Sequence, residues 1–86
     1  MNRRIRDLRN LGPKTEQMLA EADVFGEDDL RDLGPVLAYQ RFKFRVGRNV
    51  SLIALYAIAA ALRNCDWRDL DGETRRRLRD QANGTG

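Results

Sequence analysis

Histidine is absent from the sequence, and cysteine and serine each occur once, as Cys65 and Ser51. Without histidine the chain can build no Ser-His-Asp triad, no Cys-His nucleophile and no histidine metal ligand. One cysteine forms no disulfide within the chain, makes no zinc or iron–sulfur site by itself, and is typical of a reducing compartment. No glycine-rich phosphate loop that ends in Gly-Lys-Ser or Gly-Lys-Thr occurs either. The sequence therefore predicts a protein that is not an enzyme and that holds no metal or cofactor.

No apolar run is long enough to cross a membrane. The longest, residues 52–62, has 11 residues, whereas a transmembrane helix needs about 20. The N-terminus carries no secretion leader, which would combine positive charge, an apolar stretch and a small-residue cleavage site. We therefore expect a cytoplasmic protein with no membrane partner. The chain length of 86 residues predicts one domain with one modest core.

Alternating β-branched and aromatic residues, which would indicate strands, are also missing. We predict an all-α fold, a compact bundle of about five short helices. After a turn at residues 5–11, the predicted helices span residues 13–22, 27–33, 35–46, 52–63 and 72–81. The predicted helix caps are Asp66, Asp71 and either Asn49 or Ser51. Val24 and Phe25 are expected to pack the loop before the helix at 27–33 against the core. The helix at 52–63 is apolar around almost its whole circumference, so we expect it at the centre. The domain is predicted to cover residues 1–82, with a loose arm at 1–4 and a disordered tail at 83–86.

The sequence contains one hexapeptide twice. Residues 8–13 read LRNLGP and residues 30–35 read LRDLGP, so the copies differ only at Asn10 and Asp32. In each copy the glycine can take a left-handed conformation that reverses the chain, and the proline suits the first position of a new helix. We therefore predict two sharp turns, each followed by a helix N-terminus whose unpaired N–H groups attract anions.

The net charge of +3 is distributed unevenly. Residues 16–32 carry seven acids and one base. The bases cluster in three other segments, residues 3–14, 41–48 and 75–79. Arginine outnumbers lysine 14 to 2, and the guanidinium group binds phosphate with two parallel hydrogen bonds. Two interpretations stay open: a solvated arginine-rich surface, which the small net charge favours, or phosphate recognition. The candidate phosphate contacts are Arg9, Lys14, the backbone amides of Gly12 to Thr15, and, in assisting roles, Arg3, Arg4 and Arg6.

Aromatic residues are interleaved with bases in residues 39–48, and they form no single apolar stripe on the predicted helix. Core packing is the first explanation of these aromatics, and an exposed patch that contacts a protein is the alternative. The candidate protein-contact residues are Tyr39, Arg41, Phe42, Lys43, Arg45 and Arg48. Two further aromatics that could stack on bases, Tyr56 and Trp67, are expected in the core because leucines flank them.

Four ordered segments of the chain resemble the C-terminal domain of TfoX, the competence-regulator (Sxy) family. They read LRNLGPKTEQMLAEADV, LRDLGPVLAYQRFK, NVSLIALYAIAAAL and DWRDLDGETRRRL, and together they cover nearly the whole sequence. The resemblance implies an all-helical fold related to helix–hairpin–helix and SAM-like modules. In that larger group a Gly-hydrophobic-Gly hairpin binds DNA phosphates. Here Asn10 and Asp32 replace the first glycine, and Asp32 would place a negative charge where a phosphate should lie. The second hairpin is therefore expected to be structural, and the first stays a phosphate candidate.

Two functions from different classes follow from the resemblance and the residues together. The first is a regulatory module of a bacterial competence or transcription-related pathway that acts through contact with a protein partner. Its docking face would be the exposed part of residues 39–48 or the acidic start of the helix at 27–33. The alternative is weak, sequence-nonspecific DNA binding through the first hairpin. Full-length regulators of this family carry another domain ahead of this one, so we do not expect transcriptional activation itself to carry over. The sequence is compatible with a monomer or a homodimer.

Overall fold

The structure, a computed structural model, describes residues 3–47 and 50–83. Five α-helices and two single 3₁₀ turns follow one another in these residues, and no strand occurs among them. The prediction of an all-α bundle of about five short helices is confirmed, and each predicted helix end agrees to within one residue. The helices are α1 (Pro13–Glu21), α2 (Glu27–Leu33), α3 (Pro35–Val46), α4 (Leu52–Leu62) and α5 (Gly72–Ala82), and the 3₁₀ turns are Ile5–Asp7 and Trp67–Asp69.

Helix α4 lies at the centre of the bundle, as its sequence predicts. Leu55 and Ile58 are almost completely buried, and the alanines from Ala59 to Ala61 are buried with them. Their small side chains let neighbouring helices approach closely, and α3 and α5 both pack against α4. Ile5, Leu19 and the other buried apolar residues complete one continuous core. No helix in the described part of the chain is long and apolar enough to cross a bilayer.

The two copies of the hexapeptide have different conformations. In the second copy, residues 30–33 form the last turn of α2, and Gly34 adopts a left-handed φ of +85° that leads directly into α3. In the first copy, residues 8–11 form a turn outside any helix, and Asn10 takes the left-handed conformation with φ +72°. Gly12 is extended, with φ −129°. The prediction of a left-handed glycine is therefore right for Gly34 and wrong for Gly12, whereas a proline begins a helix in both copies.

The side chain of Asn10 explains why the copies differ at that position. Its Nδ2 donates a hydrogen bond to the carbonyl oxygen of Cys65 at 2.8 Å, and its Oδ1 accepts one from the N–H of Trp67 at 3.3 Å. Asn10 thus fastens the first turn to the connection between α4 and α5. An aspartate could accept from Trp67 but could not donate to Cys65. Asp32, its counterpart in the second copy, is exposed on α2.

Side-chain caps are found at two of the three predicted places. Asp66 accepts from the N–H of Arg68 at 2.9 Å, and Asp71 accepts from the N–H of Thr74 at 2.7 Å. Ser51 stands at the N-cap position of α4 without a side-chain hydrogen bond. Asn49 lies outside the described residues, as do residues 84–86 of the predicted disordered tail. Asn83 is the C-cap of α5.

We predict that Asn10→Asp lowers the free energy of unfolding by about 1–3 kcal/mol, since a half-buried carbonyl loses its donor and faces a carboxylate instead. The matched control is the reciprocal change Asp32→Asn in the second copy, which should alter stability by less than about 0.5 kcal/mol because Asp32 is exposed. Urea unfolding followed by circular dichroism measures both. Equal effects of the two substitutions would contradict the assigned role of Asn10.

Candidate functional site

The N-terminal arginines, candidates for phosphate contact, are engaged by acidic side chains. Arg3 donates from Nε and Nη2 to the two carboxylate oxygens of Glu27, both at 2.9 Å, and Arg31 donates to the same carboxylate at 3.0 Å. The carbonyl oxygen of Arg3 also accepts from the N–H of Glu27 at 2.9 Å. Arg3 is therefore fixed against the start of α2, and the prediction of a loose arm is wrong at this residue. Met1 and Asn2 lie outside the described residues.

Glu27 is a buried carboxylate that needs these partners. Hydrogen bonds from Arg3, followed by those from Arg31, hold its pKa at about 2, although burial acts in the opposite direction. The paired guanidinium groups offset the cost of removing the charge from water. Because both guanidinium groups bind Glu27, these contacts tie the N-terminal segment to α2, and a phosphate would have to compete with Glu27 for Arg3.

Arg6 and Arg4 are likewise paired with acids. Arg6 donates from Nε to Glu16 at 2.8 Å, and its backbone N–H donates to the other carboxylate oxygen at 3.1 Å. These bonds, the backbone one first, lower the pKa of Glu16. Arg4 lies 3.6 Å from Asp7 in an exposed pair. Glu16 occupies the first turn of α1, so the helix start predicted to attract phosphate already has a negative charge beside it. The assisting roles expected of Arg3, Arg4 and Arg6 stay predictions, and a phosphate would have to compete with these acids for all three side chains.

The remaining phosphate candidates stay exposed or partly exposed. Arg9 and Lys14 are exposed and form no ion pair within the described ranges, and Thr15 is half-buried in the first turn of α1. Hydrogen bonds from Arg68 hold the pKa of Asp66 at about 2, with a smaller contribution from the nearby charge of Arg9. Arg9 therefore has an acid close to it.

Two of the predicted protein-contact residues belong to the core. Tyr39 is 3% exposed and Phe42 is 7% exposed, because with Ala38 they form the inner face of α3 that packs on the rest of the bundle. Burial raises the pKa of Tyr39. Their assignment to an exposed patch is corrected, and the first explanation, core packing, applies. The aromatics Tyr56 and Trp67 also pack against the core, as expected, and the guanidinium of Arg75 lies 5.7 and 5.5 Å from their ring centres.

The other predicted contact residues lie on the outside of α3. Arg41, Lys43 and Arg45 are exposed. Arg45 donates from Nε to the carbonyl oxygen of Glu21 at 2.8 Å, where its charge suits the negative end of the α1 dipole. Arg48 lies outside the described residues.

The sequence analysis missed two apolar side chains on this outer side. Phe44 is 88% exposed and Leu37 is 51% exposed. They are seven residues apart, with Arg41 between them, and this spacing places all three on one helical face. The signal was present in the sequence, because that face lies opposite Ala38, Tyr39 and Phe42. We define the outer face of α3 as Leu37, Gln40, Arg41, Phe44 and Arg45.

A groove of about 400 Å³ runs along the outer face of α3. The residues of that face line it together with Ala22 and Asp23, which follow the end of α1. Its lining combines apolar and charged side chains, so it can take an apolar side chain and a polar neighbour together. In contrast, no cluster of three or more potential metal ligands occurs within residues 3–47 and 50–83.

Comparison with known families accounts for this arrangement of helices. The family profile of the TfoX C-terminal domain matches residues 1–82. The chain belongs to the TfoX C-terminal domain family. This is a regulatory kind of family and not a known enzyme family. The resemblance inferred from the four sequence segments is confirmed. No curated protein matches the chain.

Two solved structures resemble this TfoX C-terminal domain closely. One is a triclinic crystal form of an uncharacterized protein from Listeria monocytogenes, with a TM-score of 0.84 and 26% identity, covering 99% of this chain and 93% of that one. The other is a tetragonal crystal form of a protein of unknown function from the same organism, with a TM-score of 0.83 and 26% identity, covering 94% and 99% respectively. Both crystal structures therefore share the helical arrangement of this chain.

We predict that Glu27→Gln makes the stability of the domain less sensitive to acid. The pKa of Glu27 lies at about 2, below its ordinary value of 4.5, so the unfolded chain takes up this proton first as the pH falls. The stabilisation by Glu27 is complete above about pH 4.5 and is lost progressively as the pH falls towards 2. Urea midpoints measured across this pH range should fall less steeply for Glu27→Gln than for the wild type.

The matched control for loss of one carboxylate is Glu73→Gln on α5, where Glu73 forms an exposed pair with Arg77 at 3.4 Å. Glu16, Asp66 and Asp71 also have lowered pKa values, so Glu27→Gln should reduce the acid sensitivity without abolishing it. Parallel curves for wild type and Glu27→Gln would show that the paired guanidinium groups do not stabilise this carboxylate.

Proposed function

We propose that this TfoX C-terminal domain is a regulatory module, not an enzyme, that acts through contact between the outer face of α3 and a partner protein. The observation that carries the proposal is the position of Phe44, whose side chain is 88% exposed beside the groove. Moving a phenylalanine side chain from water into an interface contributes about 1.5–3 kcal/mol. Aromatic and arginine side chains are also enriched at the centres of protein interfaces.

The core does not explain this surface. The inner side of α3 is supplied by Ala38, Tyr39 and Phe42, and Phe44 points away from them. Leu37 lies on the same outer face at 51% exposure. Two large apolar side chains are therefore exposed on this face of α3. Such a pair beside a groove is typical of a docking surface.

Membership of the family supports a regulatory pathway related to competence or transcription. The single thiol of the chain, Cys65, favours a reducing compartment and so supports a cytoplasmic location. The protein partner would contact the outer face of α3 with an apolar anchor, while Arg41 and Arg45 at the rim would set specificity and the rate of association.

DNA binding is the alternative function, and it is supported by the exposure of Arg9 and Lys14. The pairing of Arg3 with Glu27 and of Arg6 with Glu16 weighs against it, because a phosphate would have to compete with both carboxylates. Two phosphate contacts would give a slope near −2 in a plot of log affinity against log salt concentration. Such binding would be nearly lost at physiological salt.

We therefore predict weak binding or none when a fluorescent duplex of random sequence is titrated with the protein. Any binding at about 20 mM salt should disappear by about 200 mM, and Arg9→Ala with Lys14→Ala should flatten the salt dependence. Anisotropy measures both. Tight binding that persists at about 200 mM salt would overturn the protein-contact proposal in favour of DNA.

The direct test is Phe44→Ser. We expect this substitution to reduce capture of the partner from a lysate of the native host at least about tenfold, since one buried aromatic anchor is worth this much or more. The urea midpoint should stay unchanged, because Phe44 contributes little to the core. The control is Ile53→Thr, which alters another exposed apolar side chain, 49% exposed, on α4. Equal capture by wild type and Phe44→Ser, or no specific capture at all, would sink the proposal.

A further inference from the structure

Three of the four large apolar side chains that are exposed in the described residues occur in one region. Leu37 and Phe44 lie on the outer face of α3, and Phe25, at 64% exposure, lies between α1 and α2. The expectation that Phe25 packs against the core is therefore wrong. Phe25 is two residues from Asp23, which lines the groove, so the backbone keeps it within about 7 Å of the groove margin. Its exposure shows that it does not fill the groove of its own chain. The molecule therefore carries a groove of mixed apolar and charged lining and an exposed aromatic side chain next to each other.

The charges around these two features are complementary. Residues 23–32, the segment that contains Phe25, carry five acids and one base, although one of these acids, Glu27, is buried and paired with Arg3 and Arg31. Helix α3 carries three bases, Arg41, Lys43 and Arg45, and no acid, although Asp23 of the same chain lines the groove beside Phe44. A phenylalanine in an acidic segment is the chemistry that a groove lined by Leu37, Phe44 and the two arginines would recognise.

Phe25 is also held in place for such a contact. Its backbone N–H donates to Oδ2 of Asp29 at 3.0 Å, within the first turn of α2. The N–H of Val24 donates to the carbonyl oxygen of Leu19 at 2.9 Å, and Val24 is buried. The residue before Phe25 and its own amide are therefore fixed, so little backbone freedom would be lost when its side chain docks.

We infer that a second copy of this chain occupies the outer face of α3. Phe25 of each copy inserts beside Phe44 of the other, and the acidic segment at residues 23–32 faces the bases of α3. Because groove and aromatic side chain are neighbours, a two-fold axis between them makes both contacts at once, and the assembly closes as a dimer. The inference rests on the proposed function in one respect: it assigns regulation to the same surface, since a dimer covers the face that the partner protein needs.

The first test is the mass of the wild-type protein in solution. Sedimentation velocity from about 10 μM to about 1 mM, a range suited to a dissociation constant of roughly 100 μM, should show the mass rising from that of one 9.9 kDa chain towards twice that value. Higher salt should shift the equilibrium towards the monomer because opposite charges face each other. A monomer throughout this range at low salt would overturn the inference.

The second test is complementation between two variants. Phe25→Ser and Phe44→Ser should each weaken association at least about tenfold, since each damages both symmetric contacts. Both residues are exposed, so circular dichroism and urea midpoints should match the wild type. In an equimolar mixture, the intact Phe25 of one variant meets the intact Phe44 of the other, and one of the two contacts is restored. The mixture should therefore associate more tightly than either variant alone.

The outcomes separate this inference from the proposed function. Unchanged association of the Phe25→Ser and Phe44→Ser variants, or a mixture no tighter than its components, overturns the reciprocal dimer; the latter result would fit α3 packing on α3 instead. Loss of partner capture in Phe44→Ser with a monomeric wild type overturns the dimer and leaves the partner contact standing. If the dimer is real and regulatory, Phe25→Ser should increase partner capture, because it frees the outer face of α3 without altering it.

Discussion

The burial of α4 is the constraint on which the rest of the structure depends. This 11-residue helix is apolar on every side, and α2, α3 and α5 pack against it, with α3 making the most extensive contact. Helix α3 contributes Ala38, Tyr39 and Phe42. Once these three point inwards, the helical repeat leaves Leu37 and Phe44 on the opposite side. The surface proposed for docking is thus a geometric consequence of how the core is filled.

Electrostatics decides what the arginine-rich composition can do. In the folded chain, Glu27 binds Arg3 and Arg31, and Glu16 binds Arg6. Arg3 and Arg6 were candidates for phosphate contact when the N-terminal segment was considered alone, and in the folded chain both are paired with carboxylates. Arg3–Glu27 and Arg6–Glu16 join residues that are 24 and 10 positions apart, so the local pattern does not predict them, whereas Glu27–Arg31 is a pair four positions apart within α2. The bases of α3 belong to a helix without acids and are exposed, although Arg45 is hydrogen-bonded to the carbonyl oxygen of Glu21.

The two copies of the hexapeptide share their helix start but differ in backbone conformation. Both copies begin a helix at proline, which follows from the fixed φ of that residue and its missing N–H. The left-handed residue is Gly34 in one copy and Asn10 in the other. The second copy begins inside α2, whereas the first copy follows a single 3₁₀ turn. Asparagine at position 10 is explained by its hydrogen bonds with Cys65 and Trp67, which lie more than 50 positions away.

The sequence by itself determined the all-helical class, the helix boundaries to within a residue, the central place of α4 and the aspartate caps, because these depend on side-chain periodicity and on backbone preferences a few residues long. It also determined the family. Only the tertiary structure decided which arginines are engaged by acids, that Tyr39 and Phe42 are core residues, and that Phe44 is exposed. These features depend on which helix faces which, and that is set by how the apolar faces pack together and not by any one of them.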